Sequence, residues 1–114
     1  MPRGEEGKFQ DKIISWLETR AFVTKFSANG LTKVGIPDIL FCRNGKYFGL
    51  EVKKEQGIIS DMQQYNINSI RKNGGLAWCI KPSNWEKFTE LFERGDFNEI
   101  TNLCKENEKE ITKI

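Results

Sequence analysis

The chain has no histidine among its 114 residues. That absence removes His-containing metal sites, Ser-His-Asp triads, Cys-His pairs and histidine-dependent nuclease motifs. Cysteine is scarce: Cys42, Cys79 and Cys104 are an odd number with no CxxC pair, so neither a disulfide framework nor a zinc site is expected. Cys42 and Cys79 sit in apolar, strand-like runs and are expected to be buried thiols. No apolar run approaches the length of a membrane span. The opening Met1-Pro2-Arg3-Gly4-Glu5-Glu6 lacks the apolar stretch of a signal peptide, so a cytoplasmic protein without a membrane partner is expected. With imidazole gone, any hydrolytic chemistry must run on carboxylates, lysine and a cation that prefers oxygen ligands, magnesium or manganese.

What remains suffices for one domain. Hydrophobic residues make up 38% and aromatic residues 11% of the chain, enough for a modest core without cross-links. The formal net charge is only +2, a weak argument for nucleic acid. Its distribution says more. Residues 1–54 carry ten Lys/Arg against six Asp/Glu, and residues 85–114 carry five against eight. A basic excess in the first half suits phosphate contacts on one face, although ordinary surface scatter can produce the same asymmetry.

Periodicity gives the elements. Phe9, Ile13, Ile14 and Leu17 recur at helical spacing, predicting a helix from Glu5 to about Thr19. Ala21 to Phe26 reads as a strand, followed by turn residues Ser27-Ala28-Asn29-Gly30. Pro37 to Cys42 and Tyr47 to Lys53 read as two antiparallel strands joined by an Asn44-Gly45 hairpin turn. Ser60 should cap a helix that runs to about Lys72 and stops at Gly74-Gly75. Leu76 to Ile80 reads as a short apolar strand, expected at the centre of the sheet. Ser83 or Asn84 should cap a helix carrying Trp85, Phe88, Leu91 and Phe92. A last helix from about Asp96 to Asn107 carries Phe97, Ile100 and Leu103, and the tail 108–114 is expected to fray. The fold class is α/β, a small mixed sheet flanked by helices.

The chemistry concentrates between Gly35 and Lys53. Side chains alternate along a strand, so Tyr47, Gly49, Glu51 and Lys53 share one face, while Phe48, Leu50 and Val52 share the other and can pack on a helix. The hairpin brings Asp38 to the Glu51 end. Two carboxylates there could hold one hard cation, which lowers the pKa of a bound water and offsets charge building on a phosphate. Lys53, one pleat on, could position or help deprotonate that water. Taken singly, Pro-Asp is an ordinary strand start and Glu-x-Lys an ordinary solvated strand face.

On the following helix, at 100° per residue, Met62, Ile67 and Ile70 define an inward face that includes Gln63 and leaves Gln64 to its side. An inward glutamine needs hydrogen-bond partners; Gln63 could satisfy a nearby backbone group, or orient a ligand carboxylate or Lys53. Glu6 lies beside the stripe of the first helix, either as an exposed acid or pointing at the sheet.

Together, Glu6-x-x-x-Gln10, Gly35-Ile36-Pro37-Asp38-Ile39, Gly49-Leu50-Glu51-Val52-Lys53, Ser60-x-x-Gln63 and Gly74-Gly75-Leu76-Ala77 resemble the virus-type replication-repair nuclease (VRR-NUC) family of the PD-(D/E)xK nuclease superfamily. The resemblance covers about residues 5–81. Each motif is weak alone; their order and spacing carry the likeness. It implies a restriction-endonuclease-like core, with 1–114 a single nuclease domain whose C-terminal helices span about 83–107. It implies a magnesium- or manganese-dependent phosphodiesterase acting on DNA, often at branched structures such as four-way junctions or flaps, in a phage or prophage setting. Asp38 and Glu51 match the family's metal ligands, with the carbonyl of Val52 completing the set. Lys53 matches the catalytic lysine, Gln63 the glutamine of the next helix, and Glu6 the N-terminal acid. Lys8 departs from the pattern, standing where many relatives carry a second acid.

Small stand-alone members are similar to junction resolvases in being homodimers, for which Trp85, Phe88, Phe92 and Phe97 are candidate contacts unless they simply cover the sheet. The loop 54–59, with exposed-looking Ile58 and Ile59, is a second candidate. Lys25, Lys33, Arg43, Lys46 and Lys54 are candidate phosphate contacts, which would position DNA without reading its sequence. The rival readings are a sequence-reading nicking or restriction-type endonuclease, a non-catalytic DNA-binding module on the same fold, and an interaction subunit docking a partner through its acidic tail.

Overall fold

The computed structural model describes residues 4–25 and 34–111, with Lys25 described by its backbone alone. The turn expected at Ser27-Ala28-Asn29-Gly30 lies outside the described residues, as do Lys33 and residues 112–114. Helix α1 (Glu5–Glu18) buries the stripe Phe9, Ile13, Ile14 and Leu17. Strands β1 (Phe22–Lys25), β2 (Ile39–Arg43) and β3 (Lys46–Val52) form an antiparallel meander. The β2–β3 connection is the two-residue turn that Asn-Gly predicts: Asn44 and Gly45 both adopt positive φ, 52° and 78°, and this backbone twist matches that of the flanking strands.

Helix α2 (Asp61–Lys72) starts with a reciprocal cap. The Ser60 hydroxyl oxygen accepts the Gln63 N–H at 3.1 Å, and the Gln63 carbonyl oxygen accepts the Ser60 N–H at 2.9 Å. Both N–H groups would otherwise lack partners at the helix start. The helix carries the chain across to strand β4 (Leu76–Ile80), which pairs parallel to β3. Helices α3 (Trp85–Arg94) and α4 (Phe97–Cys104) follow, the latter continuing into a 3-10 turn at Lys105–Asn107. Of the two expected residues, Asn84 holds the N-cap position of α3, without a side-chain capping hydrogen bond. Ser83 donates its N–H and hydroxyl to the Glu55 carboxylate, while Asn84 turns back to accept the Lys81 N–H.

The result is three layers. On one face of the sheet, α1, α3 and α4 enclose Phe41, Phe48, Leu50, Val52, Trp78 and Ile80. Phe48 stacks on Phe41, with ring centroids 4.7 Å apart, and meets Phe92 and Phe97 edge-on. Buried Trp78 finds its one required acceptor in the Thr101 hydroxyl at 2.9 Å. Phe88 and Phe92 are buried here, with Trp85 and Phe97 packed against them. These aromatics therefore cover the sheet, and the rings of Phe88 and Phe92 are not themselves exposed to a partner. On the other face, α2 sets Ile67 and Ile70 against Ala77, Cys79 and Ile59.

Three expectations are corrected. The strand order is β1-β2-β3-β4, so β4 is an edge strand and not a central one. Its burial comes from cover: Arg71 donates twice to the Ala77 carbonyl, at 3.1 and 2.7 Å, and Asn107 donates to the Cys79 carbonyl at 2.9 Å. Side chains thus occupy acceptors that would otherwise invite another strand. The tail does not fray from residue 108 either. Glu108 takes a two-pronged ion pair from Arg71 at 2.7 Å on each prong, and the Lys109 N–H donates to Gln64 at 3.0 Å. Cys42 is exposed, as are its cross-strand partners Phe22 and Tyr47; Cys79 and Cys104 are buried, their thiols pushed up to about 12 by burial.

Arg71 thus links the sheet edge to the chain terminus. Arg71→Met is expected to destabilise the fold by about 1–3 kcal/mol, since the Ala77 carbonyl loses the Arg71 donor and the Glu108 carboxylate is left with Gln64 alone. The drop should appear in urea denaturation, together with faster proteolysis after residue 104. An unchanged midpoint would show that the tail contributes nothing to the edge.

Candidate active site

The geometry begins at Gly35. Its φ of +79° lies in the left-handed region, and a Cβ there would stand 2.5 Å from Met62 Cγ on α2. Only glycine meets both conditions. Asn66 of α2, 5% exposed, fixes the same segment by donating to the Val34 carbonyl at 3.1 Å. Buried Pro37 then feeds the chain into β2. Asp38 sits just before that strand, and its Oδ2 accepts the Val52 N–H at 2.8 Å. The side chain takes the acceptor role where the backbone ladder, whose last pair is Ile39 with Leu50, has ended.

Glu51 is the next feature. It is 2% exposed, a carboxylate buried between the sheet and α2. Gln63 donates its Nε2 to Glu51 Oε2 at 3.0 Å while its carbonyl stays in the cap of α2, so one glutamine both closes the helix start and orients the acid. Lys53 Nζ lies 4.0 Å from the same oxygen, with the lysine side chain 16% exposed. Gly57 packs on the Lys53 stem, where a Cβ would meet it at 3.2 Å. Glu51 Oε1, by contrast, is buried and meets no donor among the described residues unless the two acids share a proton.

An orphaned carboxylate oxygen in a buried position is costly unless a proton or a cation meets it. Both acids respond accordingly. Burial raises the Glu51 carboxyl to about 9, with the Asp38 charge as the next cause; burial also raises Asp38, against the pull of the Val52 N–H. Two carboxylates pushed up together hold a proton between them at neutral pH, or exchange it for a metal ion.

The residues present fit a hard cation. Asp38 and Glu51 are the side-chain ligands available, and no group of three or more His, Cys, Asp or Glu side chains that could hold a metal occurs among the described residues. A further ligand must come from the backbone. Val52 lies in the core by its side chain, yet its N–H points at Asp38. In an extended residue the N–H and C=O face the same neighbour, so its carbonyl is turned to that side too. Glu6 borders the site from α1, its Oε2 accepting the Lys54 N–H at 3.3 Å, which ties the start of α1 to the end of β3.

The candidate phosphate contacts divide. Lys54 is exposed beside the site. Arg43 and Lys46 face each other at the hairpin turn, the opposite end of the β2–β3 ladder. Arg43 lays its guanidinium 5.0 Å from the Phe92 ring centroid and leaves Nη1 buried without a partner. The Lys25 side chain and Lys33 lie outside the described residues. Ile58 is 81% exposed, whereas Ile59 is buried at 2% and belongs to the small core under α2.

Two residues around the site went unrecognised in the sequence. Asn66 follows Gln63 by three on α2, a spacing that puts both on one face. Gln64, expected off to the side, is buried at 2% because the chain terminus covers it; it donates to Asn68 and Glu108 and accepts from Lys109. Met62, expected inward, is 42% exposed. Comparisons with known protein families, curated proteins and solved structures find no match.

Proposed function

We propose that this chain is a metal-dependent deoxyribonuclease with a PD-(D/E)xK-type core, related to the virus-type replication-repair nucleases and hydrolysing DNA phosphodiesters, preferentially at branches. The observation that carries the proposal is half-buried Asp38 beside buried Glu51, fixed by the Val52 N–H and by Gln63, with Lys53 next to them and Glu51 Oε1 without a donor among the described residues. A carboxyl kept 2% exposed against a second acid must hold either a proton shared with that acid or a cation. It has a use if a cation is to be bound.

Asp38, Glu51 and the Val52 carbonyl would hold magnesium or manganese, which when bound supplies Lewis-acid stabilisation of charge on the phosphate and a more acidic water. Lys53 sits where its ammonium can offset charge on a non-bridging oxygen or orient the attacking water. The water oxygen bonds to phosphorus and gives up a proton to solvent, while the bond to the leaving oxygen breaks and that oxygen takes up a proton from solvent; the resemblance implies 5′-phosphate and 3′-hydroxyl ends. Gln63 acts through Glu51, as a positioning residue, and Glu6 does so through the Lys54 backbone. Lys54 is the cation placed to meet flanking phosphates. A homodimer presenting two such sites to opposed strands belongs to the proposal, through a surface other than the buried aromatics of α3.

The experiment is cleavage of labelled four-way junction, flap, single-stranded and linear duplex DNA with magnesium, manganese or EDTA, for wild type and Lys53→Ala together. Metal-dependent cutting, reduced about a hundredfold or more in Lys53→Ala, is expected, since removing one group that stabilises charge in the transition state costs at least that much. Cutting that survives the substitution would remove Lys53 from the chemistry. Binding without any cutting would favour a non-catalytic DNA-binding module, and cutting confined to one duplex sequence a restriction-type enzyme.

A further inference from the structure

A cavity of about 350 Å³ opens on the same sheet face as Glu51, between α2 and the β2–β3 hairpin. It begins at Pro37, the residue before Asp38, and its walls are Pro37, Ile70 and the half-exposed ring of Tyr47. Asn66, Ser69 and Asn73 supply polar edges from one side of α2, and among the described residues no charged one lines it. The volume is near the lower limit of ligand clefts, roughly 300 Å³. The Nδ2 hydrogens of Asn66 are engaged with the Val34 and Met62 carbonyls, and its Oδ1 accepts no hydrogen bond among the described residues. Gly49 and Gly75 let the walls close in: a Cβ on either would stand 3.1 or 2.7 Å from Ile70.

A flat, uncharged ligand with hydrogen-bonding edges fits this lining. An anion finds no cation there, and a purely apolar ligand would strand three polar side chains. We infer that the cavity is a nucleobase pocket, which takes one unpaired base of a strand whose phosphate lies at Asp38 and Glu51. The inference rests on the nuclease reading for DNA as the source of the base and for the phosphate at Asp38 and Glu51; the base site itself does not.

The spacing sets the selectivity. Tyr47 precedes Glu51 by four residues on β3, roughly 13 Å at about 3.3 Å per residue. In a duplex, at roughly 3.4 Å per step along one strand, a base that far off is about four steps away and locked in the stack. A frayed or splayed strand can swing its base onto Tyr47 and into the cavity. Unpaired bases beside the cut site are what branches and flaps offer and linear duplex does not. The pocket would therefore be the element that turns a general phosphodiesterase into a structure-selective one.

The first test is an amide NMR titration of the metal-free protein in EDTA with thymidine and adenosine 5′-monophosphates, with inorganic phosphate as the control. Shifts at Asn66, Ser69 and Asn73, including the Asn66 side-chain amide, are expected with the nucleotides and not with phosphate. Ser69→Trp, which plugs the cavity, should abolish them. Tyr47→Ala should lower the preference for splayed over linear duplex DNA by about tenfold, the worth of one stacked base. No shift at these residues, equal shifts with phosphate, or an unchanged preference in both variants would overturn the pocket. The two readings fail separately: persistent nucleotide shifts without any metal-dependent cutting would sink the nuclease and leave the base site standing.

Discussion

Asp38→Asn is expected to reduce metal-dependent cleavage by about a thousandfold or more, and at the same time to raise the stability of the metal-free protein. The first effect follows from removing one of two carboxylate ligands, where metal catalysis supplies several kcal/mol of transition-state stabilisation, and each 1.36 kcal/mol is about tenfold in rate. The second follows from the site's electrostatics. The substituted amide would still offer an oxygen to the Val52 N–H, but the charge that helps raise Glu51 would be gone. One pKa unit of relieved repulsion is worth about 1.4 kcal/mol. A residue that holds the fold together loses stability when replaced; one kept for chemistry gains it. Cleavage assays and denaturant midpoints on the same preparation separate the two. Loss of both activity and stability would make Asp38 structural and withdraw the main support for the nuclease reading.

Without metal, the melting temperature should fall as pH rises from about 5 to about 9, and magnesium should flatten that slope. Glu51 titrates at its ordinary 4.5 in the unfolded chain and at about 9 in the fold. Between those values the folded protein holds a proton that the unfolded chain has released, so stability is fully present below 4.5 and is lost as pH climbs towards about 9. Asp38, raised by burial in the same direction, adds to the slope from the acid side. A cation that occupies the carboxylates replaces the proton and binds only the folded state. At a hundredfold excess over its dissociation constant it adds about 2.7 kcal/mol, about 10 °C or more in a domain of this size. Glu51→Gln should abolish the magnesium effect and leave of the slope only the acid-side part that Asp38 contributes. A flat profile in the wild type, or a magnesium shift that survives Glu51→Gln, would place the cation elsewhere.

Local chemistry was legible wherever it is decided within a few residues. The Asn44-Gly45 turn, the Ser60 cap and the stripe of α1 each rest on rules that act over a few helical turns at most, and each appears in the fold. The β2–β3 register followed from the turn, and the register set Asp38 beside Glu51. The Gly35-Ile36-Pro37-Asp38 run was conspicuous as a pattern, but its reason was not readable, because the atoms that exclude any residue but glycine belong to Met62 and Asn66, on a helix far along the chain.

What depended on distant contacts was not accessible. The inward face of α2 was misjudged because two partners, the sheet and the segment at Glu108 and Lys109, divide its surface, and periodicity registers burial by one. β4 looked central because its residues are all apolar; apolar content reports burial and cannot tell pairing from cover by Arg71 and Asn107. By itself, the sequence determined the element order, the residue types on each strand face and the chemistry open to a chain without histidine. Only the tertiary structure decided that Glu51 would be buried with one oxygen idle, that Gln63 would orient it, and that a cavity would open beside Asp38. Those depend on how α2 sits on the sheet, and helix placement is set by the summed packing of side chains remote in sequence, which no local pattern encodes.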